Sequence, residues 1–422
     1  MNSQFLLVLL VGSFVARQSQ ISKNMLFPRA SLPTKTPAHK LGIYFCTNPK
    51  QPDPMNLKPF LSPPRPSTMT LMKLKFLLLT ALLLAQSSAL PAAEASKPIK
   101  VFILAGQSNM EGKAPNALFE HQATNATTRD FFAHLRTNNQ WIVRDDVFIK
   151  YLDRKGPLTV GYGSPGRTGP ELEFGTVMGN YLEEPVILIK AAWGGHSLVK
   201  LFRSPSAGFP AEAELQKELK QAQERVAKNN EKNQKNDPLP TMEDIKKPYG
   251  SSYRNMMAEV KDVMTNYATL FPQLKGRKVE LAGFVWFQGW NDQYGGENEY
   301  ESNLKHFIQD VRKDLNAPKF PFVIAAMGQN GSKPAKGAML IIQQAQLAMN
   351  DVPEFMGNVK AFRTDVLVDK AAEELYPTWQ KNAEQWKITG GDHAYHYLGS
   401  AIWFTRIGHA MGEAMKELVV KQ

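Results

Sequence analysis

Val101-Phe102-Ile103-Leu104-Ala105-Gly106-Gln107-Ser108-Asn109-Met110 passes within ten residues from an unbroken apolar run to a polar turn. Five consecutive apolar residues without alternation read as a strand buried on both faces, the kind that belongs to a parallel sheet. In open α/β sheets the reacting groups gather beyond the carboxyl ends of the strands, so Ser108 stands where chemistry is expected. Gly106 permits a tight turn, and the N–H groups that open a following helix would face an anion. A Ser that merely caps that helix explains the same residues. The rest of the chain must decide between the two.

From residue 97 onward, short apolar runs alternate with longer helical patterns. Strands are expected at 100–105, 147–151, 185–191, 279–287, 321–327 and 359–364, which predicts an α/β domain with a parallel sheet covered on both faces. Ile407, Met411, Met415 and Leu418 recur at helical spacing and give the last helix one apolar stripe. The segment at about 210–240 is rich in Glu, Lys, Gln and Asn and can bury little, so it reads as a solvated helical insertion that ends near Pro238 and Pro240, with a disordered charged loop as the alternative.

The start of the chain reads differently. From Met72 the sequence runs Met-Lys-Leu-Lys, then almost wholly apolar from Phe76 to Ala85, then Ser87-Ser88-Ala89. This is the pattern of a cleaved secretory leader, assigned here to 72–95, and its apolar run is too short to span a bilayer. Residues 1–71 are Pro-rich and read as a mis-assigned start, with Met72 the true first residue, or else as a disordered extension; the folded domain is assigned to 96–422. Up to Ala89 the chain holds ten Lys and Arg against Asp53 alone, so +9 of the formal +11 lies there and the remainder carries only +2. The basic balance is therefore no argument for nucleic acid as a partner. Export to the periplasm or the medium is expected, with no stable membrane insertion once the leader is removed. The single cysteine, Cys46, precedes the domain, which leaves no thiolate nucleophile, disulfide or Cys-held metal in it.

A serine nucleophile needs a base. Among eight histidines, His396 lies in Gly391-Asp392-His393-Ala394-Tyr395-His396-Tyr397, a loop opened by glycine just before the last helix, with Asp392 near enough to orient an imidazole. His393 competes for that role. A His pair beside Asp can also hold a metal, but no third strong ligand accompanies it, so neither metal nor cofactor is expected. Acyl transfer further needs donors for an oxyanion. Trp193-Gly194-Gly195-His196-Ser197 and Gln288-Gly289-Trp290-Asn291-Asp292 both follow expected strands and offer backbone or side-chain N–H groups.

Together, Gly-Gln-Ser-Asn-Met after the first strand, the Gly-Gly block, the Gln-Gly-x-x-Asp block and the late His resemble the sialate O-acetylesterase and acetylxylan esterase group of the SGNH hydrolases, carbohydrate esterase family six. The resemblance covers most of the chain from Lys97 onward. It implies a three-layer α/β/α sandwich with a flavodoxin-like parallel sheet, and an acetylated carbohydrate as substrate. By position it implies Ser108 as nucleophile and first oxyanion donor, Gly194 or Gly195 as second donor and His396 as base. Asn291 or Gln288 becomes the side-chain donor. Where related esterases often carry Glu after Gln-Gly, this chain has Trp290, so the orienting carboxylate falls to Asp392 or, second, Asp292. Glu171, in Gly169-Pro170-Glu171-Leu172-Glu173-Phe174, matches a family segment near the pocket and is a candidate for contact with substrate hydroxyls; acidic residues in the first turn of a helix account for it equally.

Two competing functions remain. A carbohydrate-binding protein that kept the fold and lost turnover is suggested by Trp290. A glycosidase built on Glu171 and Glu173 is disfavoured, because alternate residues of one helix point in different directions. The chain has no Gly-x-Ser-x-Gly elbow, which argues against an α/β-hydrolase.

Overall fold

The computed structural model describes residues 97–420, all within one unit, Ala89–Gln422. The expected extension at 1–71 and leader at 72–95 lie outside the described residues.

Strand β1 (Ile99–Gly106) is central because it is apolar on both sides. Ile99, Val101, Ile103 and Ala105 enter one core layer and Phe102 and Leu104 the other. Each large side chain so buried contributes roughly 1.5–3 kcal/mol. The other strands of its sheet are β2 (Val147–Tyr151), β3 (Arg154–Pro157), β4 (Val186–Ala192), β5 (Val279–Phe287), β6 (Phe322–Ala326) and β7 (Val359–Arg363). They form one seven-stranded sheet in the order β7-β6-β5-β1-β4-β2-β3. All neighbours are parallel except β3, which folds back antiparallel on β2. Leaving out the β2–β3 hairpin, the five remaining strands follow the flavodoxin-like order 2-1-3-4-5. The six expected strands are all present; the polar edge strand β3 was not foreseen.

Helices cover both faces. Helix α1 (Glu171–Tyr181) and the last helix, α6 (Ala401–Val419), pack on the Phe102 side, where Phe102 meets Phe174 edge-on at 5.5 Å. Helices α3 (Ser251–Leu270), α4 (Tyr300–Asp314) and α5 (Gly337–Leu347) cover the other side through Met256, Phe307 and Ile342. The result is the expected three-layer α/β/α sandwich. Helix α2 (Glu212–Asn233) is the charged insertion: only Leu215 and Ala222 are buried along it, against Ile245.

The sheet also sets where the site forms. A bulge in β5 at Ala282 shifts its register against β1, so that Gly106 lies opposite Phe287 at the carboxyl edge. A Cβ on Gly106 would sit 2.1 Å from the Phe287 carbonyl oxygen, so only glycine fits there. Trp193 N donates to Gly106 O and Gln107 N to Phe287 O, both at 3.3 Å. The segments after β1, β4 and β5 therefore leave the sheet side by side.

Candidate active site

Ser108 opens a single helical turn, Ser108–Glu111, directly after β1 and is 7% exposed. Gly194 faces it: a Cβ built there would lie 3.9 Å from Ser108 Cβ. The next residue, Asn109, donates through Nδ2 to Tyr395 O at 3.1 Å. That bond links the residue after Ser108 to the residue before His396, across 286 positions of sequence.

The histidine turn is held from below. Tyr397 is fully buried, its hydroxyl accepting from Gly328 N at 2.9 Å and lying 2.8 Å from Thr364 Oγ1. Tyr397 and Leu398 follow His396 with φ of 50° and 60°, a left-handed pair costly for side-chain-bearing residues. Such strain persists only where surrounding packing over-determines it. Here Trp403 and Phe287 clamp the Tyr397 ring, and Leu398 O accepts from both Gly391 N and Asp392 N.

Asp392 lies beside the imidazole, with Oδ1 3.1 Å from His396 Nδ1. The contact has ion-pair length but poor alignment, since Nδ1 is buried without a well-directed hydrogen bond; catalytic hydrogen bonds commonly tighten only when substrate is bound. Asp392 also accepts from His393 N at 2.7 Å and from Arg167 Nη1 at 2.8 Å. Burial acts to raise the Asp392 carboxyl, but the His396 ring, the His393 N–H and Arg167 together hold it below the usual aspartate value. Arg167, which the sequence did not single out, is itself braced on Lys113 O. His393, the rival base, is exposed and stacks on Tyr395.

Asp292, the second candidate for orienting the histidine, is committed elsewhere. It is wholly buried and accepts from Leu198 N, Val199 N and Gln288 Nε2, so it secures the segment after Gly194-Gly195. Burial pushes its carboxyl up to about 6, against the lowering pull of those three donors.

Gln288 is corrected as a donor to substrate. It is 3% exposed, and its amide N–H groups face Gln107 Oε1, His196 O and Asp292 Oδ2. Two hydrogens shared among three buried acceptors leave nothing for a ligand. Asn291 is different: Oδ1 accepts from Gln107 Nε2 at 2.9 Å, and Nδ2 has no partner among the described residues.

Glu171 is corrected as well. It is 0% exposed, accepts from Gly169 N at 2.9 Å, and pairs at 2.8 Å with Lys190, which is also 0% exposed. A carboxylate enclosed in the core cannot meet substrate hydroxyls; its task is to neutralise Lys190. That ammonium, lowered by burial below the usual lysine value, also donates to Glu111 O and Tyr162 O beneath the Ser108 turn. Glu173 lies between His134 and His409, away from Glu171. Gly194 and Gly195 are exposed, Trp193 stacks on His196, and Trp290 and Tyr395 have ring centres 5.9 Å apart. Among the described residues no group of three or more His, Cys, Asp or Glu is placed to hold a metal ion, and no helix is long and apolar enough to cross a membrane.

Known proteins offer the following likenesses. A family model described as carbohydrate esterase, sialic acid-specific acetylesterase, matches residues 98–235 and 240–372. It takes in Ser108, Gly194, Gly195, Gln288 and Asn291 and ends before Asp392 and His396. No curated protein matches the chain. Among solved structures, an Arabidopsis thaliana protein is 16% identical at a TM-score of 0.42, over 76% of this chain and 98% of its own. A protein described as a novel carbohydrate acetylesterase from Xanthomonas citri is 12% identical at a TM-score of 0.38, over 77% of this chain and 57% of its own. With the family model covering well over half of the sequence, the chain belongs to the carbohydrate esterases of the sialic acid-specific acetylesterase family.

Proposed function

We propose that the protein is a serine carboxylic-ester hydrolase that removes O-acetyl groups from carbohydrate, with Ser108 as nucleophile, His396 as general base and Asp392 as the carboxylate that orients it. The observation that carries this reading is the Asn109–Tyr395 hydrogen bond, which brings the Ser108 turn against the loop bearing the His396–Asp392 pair. In the first step His396 takes the Ser108 proton as Oγ bonds to the acetyl carbon, and the carbonyl oxygen becomes an oxyanion facing Ser108 N–H, Gly194 N–H and Asn291 Nδ2. The C–O bond to the sugar then breaks, and His396 returns the proton to the departing hydroxyl. Water, deprotonated by His396, cleaves the acetyl-enzyme and releases acetate.

Hydrolysis of p-nitrophenyl acetate by the wild-type protein and by Ser108→Ala tests the proposal. Loss of nearly all activity in the variant is expected; equal rates would leave the carbohydrate-binding alternative standing. Acetate release from acetylated xylan and from O-acetyl sialic acid, measured side by side, assigns the sugar. Trp193, Trp290 and Tyr395 supply aromatic faces suited to either. We further place the enzyme outside the cytoplasm, periplasmic or secreted, on the leader pattern at 72–95; the N-terminal sequence of the mature protein checks this.

A further inference from the structure

Gln107, between the strand and the nucleophile, is 2% exposed and makes more directed bonds than a turn residue needs. Oε1 accepts from Gln288 Nε2 at 3.1 Å, Gly289 N at 3.2 Å and Asn291 N at 3.4 Å. Nε2 donates to Asn291 Oδ1 at 2.9 Å. The two ends of one amide thus perform different tasks. The oxygen gathers the N–H groups of the segment after β5, and the nitrogen meets a side chain.

That last bond decides which way Asn291 faces. A primary amide has one accepting and one donating branch. With its oxygen taken by the Gln107 N–H, the Asn291 Nδ2 must occupy the other branch, where it has no partner among the described residues. The orientation of Gln107 is fixed in turn: its oxygen already faces three N–H donors, so its nitrogen can only point to Asn291. No other contact of the Asn291 side chain is needed to set its direction.

We propose that Gln107 is a positioning residue that locks the Asn291 amide with its N–H branch turned to the oxyanion. The inference rests on the esterase reading above and adds to it the source of the donor's orientation. Replacing Gln107 by Glu keeps the acceptor for the backbone N–H groups and removes the donor. Asn291 must then turn its own N–H branch toward the new carboxylate and present oxygen to the oxyanion. A donor lost from an oxyanion site lowers kcat by about 10²–10³-fold.

Kinetics on p-nitrophenyl acetate are therefore expected to give Gln107→Glu and Asn291→Ala similar losses in kcat, with KM within about twofold of wild type. The double variant should be no slower than the slower single one, because both remove the same interaction. Losses that multiply, or a Gln107→Glu enzyme as fast as wild type, would overturn the proposal. Should the buried carboxylate prevent folding, Gln107→Met serves in the same cycle, with a smaller expected loss because Asn291 is then free to rotate rather than inverted. A neutron structure of the wild-type protein supplies an arm independent of turnover: deuterium on Gln107 Nε2 directed at Asn291 supports the lock, and the reverse assignment refutes it. If the wild type lacks esterase activity altogether, the functional reading fails while that neutron result still decides the amide orientation.

Discussion

Gly194 and Gly195 are neighbours with opposite roles, and single methyl groups separate them. A Cβ on Gly194 would stand 3.3 Å from Glu111 Oε2 and 3.9 Å from Ser108 Cβ. Glu111 cannot simply swing aside, since Ser164 Oγ holds it at 2.7 Å and Lys113 Nζ at 3.0 Å. Gly194 is not left-handed, so Ala at this position carries no backbone strain, and its cost lies in the contacts of the new methyl. On the proposed mechanism, the new methyl occupies space beside Ser108 where an acetyl group would arrive. Overpacking by one methyl costs about 1–3 kcal/mol, and where that cost falls on the arriving acetyl group it corresponds to roughly 5- to 160-fold in kcat/KM. Gly195 is the converse: φ is +80° and nothing among the described residues lies within 4 Å of its would-be Cβ. Gly195→Ala meets no clash but pays about 1–2 kcal/mol of left-handed strain, a fall of about 2–4 °C in Tm for a domain of this order of size. Steady-state kinetics on p-nitrophenyl acetate and scanning calorimetry should thus separate the variants, Gly194→Ala slow but stable and Gly195→Ala active but less stable. A Gly194→Ala enzyme with wild-type kcat/KM, or a Gly195→Ala enzyme that is the more impaired catalyst, would refute the placement of Gly194 over Ser108.

Two further outcomes follow from the buried charges. Glu171→Ala strands the Lys190 ammonium in the core and should lower unfolding free energy by about 3–5 kcal/mol in urea titration, while the folded enzyme keeps its KM; a raised KM with unchanged stability would return Glu171 to the substrate pocket. Asp392→Asn should cut kcat by about 10³–10⁴-fold by allowing the wrong imidazole tautomer. It should also change the acid limb of stability: the Asp392 carboxyl titrates lower in the folded protein than the unfolded value of about 4, so its contribution is present above that pH and is lost as pH falls through the folded value. Melting curves from pH 7 to pH 3 should show a shallower fall in the variant, and parallel curves would contradict the ion pair.

The strands were legible because a doubly covered parallel strand writes its burial into consecutive residues, as 147–151 and 279–287 do. Strand β3, Arg154-Lys155-Gly156-Pro157, was not, since an edge strand is held by backbone pairing with β2 and needs no apolar side chains. The turns that carry Ser108 and His396 were legible in position for a related reason: each is a short polar turn whose place after a strand or before a helix is local information.

What the sequence determined by itself was therefore the layered α/β scaffold and the identity of the turns at its carboxyl edge, because hydrophobic period and turn chemistry act over a few residues. Only the tertiary structure decided which carboxylate and which amide face that edge. Asp392 meets His396 whereas Asp292 is drawn under the segment after β4, Gln288 is used up inside while the Asn291 N–H groups have no partner among the described residues, and Glu171 is sealed against Lys190. Those choices come from hydrogen bonds between residues distant in the chain, and from burial, which no stretch of sequence expresses alone.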